Sequence, residues 1–146
     1  MLNENYLDAL KIIHSKFLNS KINWYLIGKT NLALQGMDVI PSHLGILFHD
    51  YDLDKFLKLF EEFKHEPIEE LPNGEAKEFI VYINDIPVLV CAEHPHGSYW
   101  QVPQDIKNIK INEMTIPCFS LESEKEVYKR IGLLAKSKQI EEFLIK

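Results

Sequence analysis

Tyr6, Leu10, Ile13 and Phe17 recur at steps of three and four residues, which puts them on one side of a helix and predicts an amphipathic α-helix over about residues 4–19. Asn19-Ser20 ends the pattern. Trp24-Tyr25-Leu26-Ile27 is a short apolar and aromatic run followed at once by Gly28, which predicts a buried strand entering a tight turn. Thr30 to Gln35 then reads as a short helix closed by Gly36. Leu44-Gly45-Ile46-Leu47-Phe48 predicts a second strand, and Asp52 is expected to cap a helix whose Leu53, Phe56, Leu57, Phe60 and Phe63 form one stripe. Residues 79–83 and 86–90 flank Asn84-Asp85 and predict a tight antiparallel hairpin, without the glycine usual at its second turn position.

Residues 93–108 carry Pro95, Gly97, Pro103 and two histidines, a loop signature. Residues 109–111 and 114–116 around Asn112-Glu113 suggest a small edge hairpin. Ser123 and Glu126 fit a capping box for a helix near 121–131, and Gly132 separates it from another near 136–145. Interleaved helices and strands, with at least one antiparallel hairpin, predict an α+β fold with a mixed β-sheet flanked by helices and two C-terminal helices.

Length changes that picture little: 146 residues suit one domain, expected over 1–146. Charge narrows the partners. Sixteen basic against 22 acidic groups leave a net charge of −6, which opposes non-specific attraction to nucleic acid or an anionic membrane. The densest basic stretch, Lys125, Lys129, Arg130, Lys136 and Lys138, is interleaved with glutamates and reads first as a solvated helical face. Cys91 and Cys118 each lie in an apolar run, the setting of buried free thiols rather than of a disulfide framework or zinc site. The N-terminus lacks a basic region followed by an apolar one, and a cytoplasmic location is expected.

The segment from Trp24 through Gly28, Lys29 and Thr30 to Gln35-Gly36 resembles the opening motif of the polymerase-beta-like nucleotidyltransferase superfamily, in which a strand ends in Gly-Ser and a short helix closes with Gln-Gly. Family members next carry Asp-x-Asp on a strand, commonly after a proline. Here Pro41-Ser42-His43-Leu44-Gly45-Ile46-Leu47 takes that place. Val88-Leu89-Val90 stands where the family presents a third carboxylate. Ile116 to Glu122, with Tyr128, Gly132, Lys136 and the closing helix, is similar to the tail of small members, including lincosamide nucleotidyltransferases and archaeal relatives. The likeness covers most of the chain in the right order and implies a single nucleotidyltransferase-like domain.

Alternation along a strand points both aspartates of Asp-x-Asp to one face, where they bind a pair of Mg²⁺ ions with the third carboxylate. On the implied alignment the metal-carboxylate positions are His43, Gly45 and Leu89. Magnesium prefers hard oxygen ligands, and neither glycine nor leucine supplies a side-chain one. The resemblance therefore implies a pseudoenzyme with no assignable catalytic residue, no metal and no cofactor. Gly28, Lys29, Thr30, His43 and Asp50 are then candidates for holding a nucleotide or phosphate. Lys29 replaces a small serine and changes how the backbone N–H groups behind it meet an anion; an ordinary exposed lysine is the plainer reading.

The implied function is non-catalytic binding of a nucleotide-like anion or of a protein, with a helical protein partner suggested by the family and no membrane or nucleic-acid role. The alternative is an active, Mg²⁺-dependent enzyme that moves a nucleoside monophosphate onto a small molecule, protein or RNA through a rearranged site, with Asp50 or Glu93 supplying the missing acid. A third reading is a structural domain with an unused cleft. Gly28-Lys29-Thr30 mimics the end of a phosphate-binding P-loop, but position 23 is Asn where that motif needs glycine. His94-Pro95-His96 with His43 or His49 reads as loop chemistry before it reads as a metal cluster.

Overall fold

Asn3 accepts the backbone N–H of Tyr6 at 3.1 Å and so satisfies one of the free donors at the start of α1 (Glu4–Leu18), whose Ala9, Leu10, Ile13 and Phe17 are buried. The structure, a computed structural model, describes residues 2–146. After α1 the chain runs through β1 (Tyr25–Ile27), α2 (Gly28–Leu34), β2 (Leu44–His49), α3 (Leu53–Leu59), β3 (Glu69–Glu70), β4 (Ala76–Ile83), β5 (Ile86–Glu93), β6 (Ile106–Ile111), β7 (Met114–Phe119), α4 (Leu121–Arg130) and α5 (Leu134–Leu144). Short 3₁₀ turns at Asp50–Asp52 and Ser98–Trp100 follow β2 and β5.

The described strands form one mixed sheet in the order β3-β4-β5-β2-β1-β7-β6. β1 is antiparallel to β2 and parallel to β7, while β2 is parallel to β5. Two registers bring the three motif strands together: Ile27 lies opposite Gly45, and Gly45 lies beside Leu89. One sheet face packs Leu44, Ile46, Phe48, Val88 and Val90 against α1 and α3 through Leu10, Ile13, Phe17 and Phe56. The other buries Ile27, Leu47, Cys91, Tyr99, Phe119 and Val127 beneath α4 and the Ser98–Trp100 turn. A smaller cluster of Leu32, Met37, Leu121, Tyr128 and Ile140 fastens α4 and α5 to α2.

The α+β architecture and the two C-terminal helices agree with the sequence pattern; several details differ. Asn84 and Asp85 both take positive φ, 50° and 66°, so the hairpin makes a mirror-image turn without glycine, which Asn and Asp tolerate better than other side chains. Ser120, not Ser123, caps α4: its hydroxyl accepts the Ser123 N–H at 3.1 Å, while Ser123 donates to the Pro103 carbonyl at 2.6 Å. Asp52 makes no capping hydrogen bond to α3 and lies 3.6 Å from Lys55 instead. The pairs at 109–111 and 114–116 extend to Ile106 and Phe119, and β3 is an additional two-residue edge. Among the described residues no helix is long and apolar enough to cross a membrane.

Candidate functional site

The turn from β1 into α2 is built around Gly28, whose φ of 75° is costly for any residue with a Cβ. Its N–H donates to Glu124 Oε1 at 2.7 Å. That carboxylate comes from α4, is fully buried, and also accepts the Asn31 side-chain amide at 3.1 Å on Oε1 and the Tyr99 hydroxyl at 2.9 Å on Oε2. Burial outweighs those donors and pushes the Glu124 pKa up to about 7. The backbone donor that opens α2 is therefore already engaged by an internal acid.

Thr30 is also turned inward. Its hydroxyl donates to the Ile27 carbonyl and accepts the Gly45 N–H, each at 3.2 Å, so it ties β1 to β2 and is fully buried. Gly45 sits where these strands come closest: a Cβ built on it would lie 2.7 Å from the Ile27 carbonyl oxygen, inside van der Waals contact with rigid backbone. No side chain, and no carboxylate, fits at position 45 without moving a strand. Leu89 stands beside it in the parallel β2–β5 register.

His43 precedes β2 and lies 3.2 Å from the Ser42 hydroxyl through Nδ1. Partial burial holds its pKa below the ordinary imidazole value, and the charges of Lys29 and Lys136 push the same way. Lys29 from α2 and Lys136 from α5 are thus close enough for their charge to act on the imidazole; both are exposed, and the Lys136 ammonium lies 6.0 Å from the centre of the Tyr128 ring. The charge felt at His43, just before β2, is therefore that of two lysines, which favours an anion there over a divalent cation.

Asp50 lies elsewhere. Seven residues from His43 through β2 span roughly 20 Å, which places it toward the other end of that strand. Its carboxylate pairs with His94 Nδ1, while His94 Nε2 is 2.9 Å from Glu70. Hydrogen bonds to Glu70 and Asp50 raise the His94 pKa. Glu93 is buried beside that loop, accepts the Tyr99 N–H at 2.5 Å, and has its pKa pushed up to about 7 by burial. A side chain at Gly97 would run into Glu93, so the loop closes over the carboxylate. Both acids named as substitutes for the missing carboxylates are thus committed at the far end of the sheet.

His49 is stacked between Trp100, with ring centroids 4.0 Å apart, and Tyr51 at 4.8 Å. Its Nδ1 is buried without a hydrogen-bond partner. His94 and His96 stack on each other at 5.7 Å. Among the described residues no three His, Cys, Asp or Glu side chains are grouped so that they could hold a metal ion.

Two residues that shape the site were missed in the sequence, Glu124 and Asn31, while Lys136 was read only as part of a solvated basic face and of the family-like tail. Glu124 had a signal, because Leu121, Glu124, Val127 and Tyr128 fall on one helical stripe and a glutamate on an apolar stripe needs buried partners. Asn31 gave none, since its role comes from contacts with Phe119 and Glu124 far along the chain.

Comparison with solved structures gives the fold a context. A Thermotoga maritima protein provisionally described as a nucleotidyltransferase superposes with a TM-score of 0.77 at 21% identity, over 99% of this chain and 95% of that one. The lincosamide antibiotic adenylyltransferase LnuA, in a lincomycin-bound structure, matches with a TM-score of 0.58 at 17% identity over 84% of each chain. The antibiotic-resistance factor ANT(2'')-Ia matches at 0.61 and 12% identity, over 96% of this chain and 89% of its own. No protein-family model matches the sequence, and neither does any curated protein. At these identities the likeness is one of fold: the chain has a nucleotidyltransferase-like fold.

Proposed function

We propose, on the premise of a nucleotidyltransferase-like fold, that this chain is a non-catalytic domain that binds an anionic, nucleotide-like ligand at Lys29, His43 and Lys136 and transfers no nucleotide. The observation that carries the reading is the packing at position 45. In the resembling family the second aspartate of Asp-x-Asp stands there, whereas here the Ile27 carbonyl oxygen is 2.7 Å from where even a Cβ would be. The fold has been built around the missing side chain. Glu124 on the Gly28 N–H supports the same view, because the backbone donor available to a bound phosphate in that family is used internally. What remains is a charge preference, with two lysines beside an imidazole and no carboxylate among them. The chain's net charge of −6 makes any such attraction local and sensitive to salt.

Calorimetric titration with pyrophosphate and with ATP, in the absence and presence of Mg²⁺, tests the proposal. Binding is expected without metal, unimproved by Mg²⁺, and weakened about tenfold in a K29A/K136A double variant, the loss of one or two exposed charge contacts. Incubation with labelled nucleoside triphosphates and Mg²⁺ or Mn²⁺ is expected to release no pyrophosphate. Metal-dependent release that vanishes on substitution of Asp50 or Glu93 would instead establish the active-enzyme alternative.

A further inference from the structure

We propose that the groove between the C-terminal end of α1 and the β6–β7 hairpin is a binding site for an uncharged, polyhydroxylated small molecule of the saccharide class. The site is separate from the anion-facing positions and does not depend on that reading. Tyr25, the first residue of β1, lines it, whereas Gly28 and Lys29 follow the other end of that strand, roughly 10 Å away.

The groove encloses about 490 Å³, within the range of small-molecule sites. None of its eleven lining residues is Asp, Glu, Lys or Arg, although such residues make up 26% of the chain. The clefts between α4 and α5 and beside α3, by contrast, are walled by lysines and glutamates. A charged ligand would give up water in this groove without meeting a counter-charge, which selects against it.

Neutral hydrogen-bonding groups take the place of charge, from His14, Asn23, Trp24, Tyr25, Asn108 and Thr115. Trp24 carries the argument. Its side chain is only 8% exposed and is held by stacking on Phe17, with ring centroids 4.9 Å apart, yet its indole N–H has no acceptor among the described residues. The Trp100 indole, in contrast, donates to the Glu93 carbonyl at 3.4 Å. The Trp24 N–H is not sealed from water either, and the groove is where Trp24 borders open space. A fixed and otherwise buried ring thus holds a free donor at the wall of a cavity, where a partner from outside would satisfy it.

Asn23, Asn108 and Thr115 are exposed and add amide and hydroxyl groups that both donate and accept. Asn108 stands opposite Pro117 in the hairpin register, so polar and apolar surface alternate along that wall. A ligand hydroxyl also donates and accepts. A ring bearing hydroxyls on most of its carbons therefore pairs with groups from three segments of chain at once, while its C–H faces lie on the apolar remainder. An anion, which only accepts, would leave the amide oxygens unpaired, and a hydrocarbon would strip water from every polar group in the wall.

Proton–nitrogen correlation spectra of the full chain, titrated with glucose, galactose, N-acetylglucosamine, maltose and lactose, test the site. At least one sugar is expected to shift the Trp24 indole N–H, assigned by its loss in Trp24→Phe, saturably and with a Kd on the order of 1 mM. Amides of residues 23–25 and 106–115 are expected to move with it. Asn23→Ala with Asn108→Ala, both at exposed positions, is expected to keep the parent's urea midpoint and to weaken that sugar about tenfold. Phosphorylated and amino-substituted counterparts of the same sugar are expected to bind about tenfold more weakly. The inference is overturned if no sugar in the panel moves Trp24 saturably at ten times that concentration, if the charged counterparts bind as tightly, or if the double variant binds like the parent. Shifts centred on Lys29 and His43 in place of Trp24 would overturn it as well.

Discussion

Replacing Glu124 with glutamine removes one charge from the interior and leaves the shape almost unchanged, so it isolates what the buried acid does to stability. Glu124 is fully buried and its pKa is pushed from 4.5 up to about 7. An acid whose folded pKa lies above its unfolded value binds its proton more tightly in the native state. The stabilisation is therefore complete below the unfolded pKa and is lost as pH rises from about 4.5 to about 7, with a plateau above. At about 1.36 kcal/mol for each tenfold gain in proton affinity, that rise comes to roughly 3 kcal/mol.

Glutamine keeps an oxygen for the Gly28 N–H and the Asn31 amide and offers an N–H to the Tyr99 oxygen, without the charge. At pH 8 Glu124→Gln is expected to be more stable than the parent by about 3 kcal/mol, or roughly 6–12 °C in melting temperature for a domain of this size. At pH 5 the two should differ by less than about 1 kcal/mol, because the parent is then protonated in its native state. Urea melts of both proteins from pH 5 to 8 measure this. Parallel stability curves across that range, or a parent that gains on the variant as pH rises, would refute the reasoning. Because Glu93 shares Tyr99 with Glu124 and has a similarly raised pKa, the difference between the curves, and not the parent curve alone, is the quantity to read.

Gly45→Ala should cost about 2–4 kcal/mol in a urea melt, since the new Cβ meets the Ile27 carbonyl oxygen, and His43→Asp with Gly45→Asp should lose stability without gaining Mg²⁺-dependent pyrophosphate release. Asn31→Ala removes a buried amide that donates to the Phe119 carbonyl at 2.8 Å and to Glu124 at 3.1 Å, and a loss of about 2–3 kcal/mol by calorimetry is expected. His94 should titrate above the ordinary imidazole value by NMR, and Asp50→Asn should bring it down; its contribution is present below the unfolded pKa and disappears as pH rises through the folded one, so amide exchange of residues 94–100 should quicken with it beyond the intrinsic rate.

Much of this fold could be read locally. The steps of three and four in α1, the apolar runs of β1 and β2, and the Asn84-Asp85 reversal each express a rule that acts within a few residues. The resemblance motifs lie on neighbouring elements, with Gly45 beside Leu89 in the β2–β5 register and His43 just before β2. The misreadings share a cause. Ser120 and Ser123 are equally good caps on paper, and the Pro103 carbonyl, distant in sequence, decides which one turns inward. Asp50 is close to Lys29 in the chain, yet an intervening strand carries it to the opposite end of the sheet, where it meets His94 and, through it, Glu70. Glu124 resembles one more surface acid in a charged helix; only its phase with Val127 and Tyr128 hints that it faces inward.

The sheet ends on two unlike borders, and the difference bears on self-association. β6 presents a six-residue rim carrying the exposed Lys107 and Lys110, so two copies meeting there would bring like charges together. The opposite rim, β3, carries Glu69 and Glu70 and would attract β6 of a second molecule, but it is only two residues long and offers too few rungs to hold a strand. Head-to-tail growth into fibres is thus favoured by charge and starved of backbone pairing, and lengthening β3 is the change that would let it begin.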